Sequence, residues 1–191
     1  MDKGGGCEKR AEWLQGVGQG GRSGHGEAAG QGEPASNKGQ ADGGGPAPVV
    51  SVIIPVYNGE RFLSQAVDSA LAQRVSLEIL VINDCSTDNT ERVMERYREN
   101  PAVRYFVNER NLGAGGSRNR GVKLAKGTYV AFLDADDWWA EGKLKKQLER
   151  LEETGMALCC TGRELMDENG VSMGRVIPVP EVMTYRRLRT H

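Results

Sequence analysis

Cysteine, histidine and long apolar runs are scarce in this chain, and each scarcity removes a class of function. The four cysteines (Cys7, Cys85, Cys159, Cys160) show no Cys-x-x-Cys spacing, and the only histidines are His25 and His191. Neither a zinc site nor a disulfide framework is supported, and a reducing, cytoplasmic setting is expected. No stretch approaches the ~18 apolar residues of a membrane span. The N-terminus also lacks the apolar core of a signal peptide. No transmembrane segment is therefore expected, which leaves open a peripheral attachment at the inner face of the membrane. An excess of one charge is missing as well. Lys and Arg total 25 against 26 Asp and Glu, a net charge of −1, so no basic surface for nucleic acid is expected.

What the chain has in excess is glycine, concentrated at one end. Residues 1 to 47 hold 15 of the 26 glycines, with Gln, Ser, Ala and Pro between them and few large apolar residues. Such a segment cannot bury enough surface to offset its ordering entropy. The expected organisation is a disordered tail over 1–47 and one folded domain over 48–191.

The domain reads as alternating strands and helices. Val49 to Val56 is an apolar strand, and Pro55 near its end predicts that pairing stops there. Asn58-Gly59 marks a turn. From Arg61 to Gln73, Phe62, Leu63, Ala66, Val67, Ala70 and Leu71 recur at helical spacing. Glu78 to Asn83 is the next strand. Ser86, Thr87 and Asp88 offer cap oxygens for a helix to about Arg98, with Val93, Met94 and Tyr97 on its inner face. Val103 to Val107 is a third strand. Asn111 to Gly116 (NLGAGG) is a glycine loop opening a helix to about Lys126 through Val122, Leu124 and Ala125. Tyr129 to Leu133 predicts a strand buried on both faces, Leu144, Leu148 and Leu151 a helix, and Met156 to Thr161 a further strand. This order implies βαβ units and an α/β fold with a largely parallel sheet flanked by helices.

The Tyr129 strand runs into Asp134, Asp136 and Asp137. Carboxylates this close repel one another, and a divalent cation with phosphate oxygens as its other ligands would remove that cost. The bland alternative is a solvated acidic turn. The carboxyl ends of strands are, however, where open α/β sheets bind ligands. Four groups should converge on that edge: Pro55 to Asn58, Asp84, the Asn111–Gly116 loop with Gly113 at its centre, and the aspartates. Tyr57 offers a face for a base, and Asp84 an acceptor for a base N–H. The glycine loop lets amides approach phosphate at a helix N-terminus, with Arg118 one turn in as a bidentate partner. Taken singly, each could be a rim aromatic, a cap or a tight connection; together they describe a nucleotide pocket.

SVIIPVYNGERFL, VINDCSTDNT, NERNLGAGGSRNRG and GTYVAFLDADDWW resemble four successive signatures of the family 2 glycosyltransferases, whose fold is the Rossmann-like GT-A fold. The resemblance covers Val50 to about Thr184. It implies a metal-dependent, inverting transfer from a nucleotide-diphospho-sugar, a UDP-sugar for preference, to a saccharide or lipid-linked acceptor, as in cell-surface polysaccharide synthesis. Pro55 and Tyr57 would line the base site and Glu60 border it. Asp84 would read the base, Asp134 lie near the ribose, and Asp136 hold Mg²⁺ or Mn²⁺ against the diphosphate. Asn83 and Cys85 stand where the family often has Asp and Gly. The resemblance also puts the acceptor half of the cleft, and the Asp or Glu base within it, after His191. The alternative expectation is therefore a nucleotide-sugar binding module that does not turn over. A dinucleotide fold would carry its glycines after the first strand, not the third. An aspartyl-phosphate phosphatase would carry its Asp-x-Asp there too.

Overall fold

The computed structural model describes residues 48–167 and 169–179; the glycine-rich segment 1–47 lies outside them. The chain divides into two compact units at Trp139/Ala140. The first holds β1 (Val50–Val56), α1 (Leu63–Leu71), β2 (Leu77–Asn83), α2 (Thr90–Glu95), β3 (Val103–Val107), α3 (Gly113–Leu124) and β4 (Tyr129–Phe132). The strands form one sheet in the order β3-β2-β1-β4, and every pairing is parallel. The alternation seen in the sequence thus folds as βαβ units. The order reverses beside β1: the chain steps outward through β2 and β3, then returns to place β4 on the other side. Among the described residues no helix is long and apolar enough to cross a membrane.

β1 is buried throughout and β2 from Glu78 onward. On α1, Leu63, Ala66, Val67 and Ala70 are buried, the i, i+3, i+4, i+7 stripe of a helix laid on a sheet. Helix α2 is shorter than its expected extent to Arg98, yet it buries Met94, and Tyr97 follows it into the core. Helix α3 departs from its expected apolar face. It buries Ser117 and Gly121, while Val122 is exposed. A Cβ on Gly121 would stand 2.4 Å from Ile53 Cγ2, so the helix sits close on β1 because this position has no side chain. Ile53, Leu80 and Ile82 form the core beneath it, packed against Phe106, Leu124 and Ala125.

The edge of the sheet away from the strand tips is held by a buried acid. Glu78 accepts from the Ser51 hydroxyl at 2.7 Å, the Lys126 amide at 2.6 Å and Arg104 at 2.9 Å. Burial alone would push its carboxyl up; the Ser51, Lys126 and Arg104 donors outweigh that and hold it below its ordinary value. Ser51 Oγ also accepts from the Gly127 amide at 2.8 Å. A Cβ on Gly127 would lie 2.6 Å from Ser51 N. The entry into β4 is thereby fixed against β1.

Two strand expectations are corrected. β4 is not buried on both faces. It is hydrogen-bonded to β1 alone among the described residues, with Val130 40% and Phe132 49% exposed. A continuous apolar run does not say whether a strand is central or at an edge. In the second unit, α4 (Lys143–Thr154) forms as expected, ending at Gly155 with φ +63°. Met156–Thr161, however, is not a strand. The strands are β5 (Arg163–Met166) and β6 (Ser172–Ile177), an antiparallel hairpin. Its turn is fixed by Asp167 Oδ1, which accepts from the amides of Asn169 and Val171 at 2.9 and 2.8 Å.

Candidate functional site

Along β1 the backbone groups alternate in direction. Ile53 O accepts from Leu133 N at 3.1 Å on the β4 side, and Val56 O from Asp84 N at 2.8 Å on the β2 side. Residue 55 therefore faces β4, and it is a proline with no N–H to offer. Pairing with β4 ends at Ile53↔Phe132, whereas pairing with β2 continues to Val56↔Asn83. The expectation that pairing stops at Pro55 holds on one side only. The consequence is a gap between the tips of β1 and β4, at the point where strand order reverses, the place where open α/β sheets bind ligands.

A cleft of about 440 Å³ occupies that gap. Pro55, Tyr57 and Asn58 line it from β1, Ala114 and Arg118 from α3, and Asp134 and Asp136 from β4. Gly59, Phe62 and Ala135, none of them expected at the site, also line it. The Tyr57 ring is 55% exposed. Arg118 Nη2 reaches Asp134 Oδ1 at 2.5 Å, so one carboxylate of the acidic tip already has a cation. Asp136 faces the cleft with its carboxylate bonded to no described residue. Among the described residues no group of three or more His, Cys, Asp or Glu side chains converges as a metal site. With Asp134 paired to Arg118, a hard cation here would take the Asp136 carboxylate from the protein. The rest of its ligands would be phosphate oxygens and water, a set Mg²⁺ and Mn²⁺ accept. The residues fit the ion only in company with a diphosphate.

Glu60, Asp84, Asn111 and Gly113 are not among the residues that line this cleft. Asn58 adopts φ +53°, and the loop after β1 is laced to the loop after β2. Asn58 N donates to Ser86 Oγ at 2.9 Å, and Thr87 N donates to Asn58 Oδ1 at 2.8 Å. Glu60 N donates to Asp88 Oδ2 at 2.9 Å, and Asn89 N to Glu60 Oε2 at 2.8 Å. Slight burial pushes the Asp88 carboxyl up, but the Thr90 hydroxyl and the surrounding amides outweigh it and hold it below its ordinary value. Asn111 caps the glycine loop through Gly113 N at 3.1 Å, and Gly113 takes φ +72°.

Asp84 is 3% exposed at the tip of β2. Its Oδ1 accepts from Asn108 Nδ2 at 2.6 Å and from Leu112 N at 2.8 Å. Its Oδ2 bonds to no described residue. Because no buried side-chain oxygen or nitrogen among the described residues lacks a partner, Oδ2 reaches solvent. The variant neighbours of Asp84 also have physical accounts. Cys85 takes φ +62°, a conformation that favours glycine, and its thiol donates to Asn108 O at 3.0 Å. Asn83 donates to Tyr105 Oη at 2.6 Å and accepts from Ser86 N at 2.9 Å, so an amide serves at that position.

The family model described as glycosyl transferase family 2 matches residues 51–191. The chain belongs to that family. Among its relatives is the putative teichuronic acid biosynthesis glycosyltransferase TuaG of Bacillus subtilis (strain 168), 39% identical over 140 residues, which are 72% of this chain and 56% of that one. Another is the UDP-Glc:alpha-D-GlcNAc-diphosphoundecaprenol beta-1,3-glucosyltransferase WfgD of Escherichia coli, 33% identical over 73% of this chain and 54% of that one. The chain thus spans about half the length of these curated relatives. Among solved structures, S. aureus TarS 1-349 in complex with UDP-GlcNAc matches with a TM-score of 0.52 and 29% identity, over 63% of this chain and 41% of that one. The mannosyltransferase PcManGT of Pyrobaculum calidifontis, in complex with GDP-Man and Mn²⁺, matches with a TM-score of 0.51 and 26% identity, over 61% of this chain and 34% of that one. The parallel sheet flanked by helices is the GT-A type of fold these transferases share.

Proposed function

We propose that the cleft between β1 and β4 binds a nucleotide-diphospho-sugar, as the donor site of an inverting, metal-dependent glycosyltransferase. The observation that carries this is the break in pairing at Pro55, which opens a cleft at the switch point with an arginine on its walls and an aspartate, Asp136, that bonds to no described residue. Tyr57 stacks on the base, and Asp84 Oδ2 accepts a base N–H. Asp134 faces the ribose, and Arg118 turns from Asp134 to the diphosphate. Asp136 would hold the divalent ion, which when bound offsets charge on the departing diphosphate. UDP is the preferred nucleotide, on the model of the neighbour that holds UDP-GlcNAc. A saccharide or lipid-linked acceptor fits the diphosphoundecaprenol named for one relative and the teichuronic acid named for another. Surface-polymer synthesis at the inner face of the membrane is the matching setting. The base that deprotonates the acceptor belongs to the acceptor side, outside the cleft described above.

The test is nucleotide binding with and without metal, read from the fluorescence of Trp138 and Trp139 beside the aspartates. UDP should bind at least tenfold more tightly with Mn²⁺ than with EDTA, and UMP should gain less because it cannot complete the chelate. Asp136→Asn should abolish the metal-dependent gain and spare the rest. Full metal enhancement in Asp136→Asn would return the acidic tip to a solvated turn.

A further inference from the structure

Asn108 follows β3 and is 1% exposed, which is unusual for a primary amide. Its Nδ2 donates to Asp84 Oδ1 at 2.6 Å and to Ser117 Oγ at 2.9 Å. Its Oδ1 accepts from Arg120 Nη1 at 2.6 Å. The amide is thereby held between an anion that can only accept and a cation that can only donate, so its orientation is fixed by chemistry. No other small residue serves both ends. Aspartate would repel Asp84, and a hydroxyl is too short to reach both.

The partners come from three places in the fold. Asp84 ends β2, while Ser117 and Arg120 lie on α3, whose first turn is the glycine loop and which carries Arg118 into the cleft. Arg120 is anchored in turn: the same Nη1 donates to Val107 O at 2.6 Å, and its guanidinium lies over the Phe106 ring. Bonding through Oδ1 alone leaves Oδ2 as the oxygen of Asp84 that reaches solvent.

We propose that Asn108 is a positioning residue for nucleotide recognition. By occupying Asp84 Oδ1 it turns Oδ2 toward the base, and through Ser117 and Arg120 it ties that oxygen to the helix that receives the diphosphate. This rests on the donor-site reading above and assigns its base specificity to a residue that never touches the ligand.

The experiment measures base discrimination as well as affinity. UDP is titrated against its N3-methyl analogue, and GDP against its N1-methyl analogue, into wild type, Asn108→Ala and Arg120→Met, with melting temperature recorded for each. Wild type should prefer one unmethylated nucleotide by about tenfold, the scale of one hydrogen bond. Asn108→Ala should bring that ratio near one while keeping the Mn²⁺-dependent gain for the diphosphate. Arg120→Met keeps the packing on Phe106 but releases Asn108 Oδ1, and should lower the ratio at least threefold. It serves as the deciding variant if Asn108→Ala does not fold. Equal weakening of both analogues, with the ratio intact, overturns the positioning role and leaves the donor site standing. A wild type that binds with metal but shows no preference removes Asp84 as base reader, and this proposal with it. No binding of either nucleotide to wild type overturns the donor-site reading as well.

Discussion

Some single residues in this protein are constrained by backbone approach and not by side-chain chemistry. Gly121 is the clearest case. Nothing in a GSRNRGVKL stretch marks its fourth-from-last residue as the contact point of a helix, yet Ile53 Cγ2 would stand 2.4 Å from a Cβ there. Gly121→Ala should therefore destabilise by about 1–3 kcal/mol, the usual cost of overpacking, although alanine is the better helix former. Chemical denaturation checks it; a variant as stable as wild type would mean that α3 can ride up on β1 without loss. Cys85, at φ +62°, holds a backbone conformation in which a glycine would be at ease. Asp84 and Asp136 were legible from the sequence as carboxylates at strand tips. Asn108 stood inside a quoted signature, but its burial between two charges was not visible there, because burial depends on what packs around it.

At the scale of elements, apolar runs and spacing located β1, α1, β2, β3 and α4, because these are local properties. The glycine loop located the start of α3 but not the face it buries. The apolar pattern misjudged β4 and missed the β5–β6 hairpin. The hairpin had left a local mark, since Asn169-Gly170 is a strong turn pair between two short strands; the neighbouring apolar run, with Met156 and Leu158 exposed, drew the strand assignment instead. The Glu78 clamp is an element-level device, fastening the start of β4 to β1 and β2. Because Glu78 titrates below its ordinary 4.5 when folded, its contribution is complete above that pH. It is lost as pH falls through the lower folded value. Glu78→Gln should cost about 1–3 kcal/mol at pH 7, with the Arg104 contact discounted because that side chain is 32% exposed. The loss should shrink toward pH 3, so melting temperatures across pH 3 to 7 should converge at the acid end. A pH-independent difference would assign the cost to packing alone.

For the molecule as a whole, the proposed division is a dispensable glycine-rich segment before a catalytic-type domain. Removing residues 1 to 45 should leave the melting temperature and the UDP affinity unchanged within error. A weaker affinity in the shortened chain would show that the segment contributes to binding. The sequence alone determined that this is a parallel α/β sheet whose strand tips carry acids and glycines, since strand–helix alternation and turn chemistry are written locally. It also carried the four signatures that mark family 2. Only the tertiary structure decided that β4 returns to the far side of β1, so that strand order reverses beside Pro55 and the sheet parts there. That choice depends on contacts between residues some eighty positions apart, Val50 with Tyr129 and Ile53 with Phe132, and no local pattern encodes which edge of a sheet a strand will join.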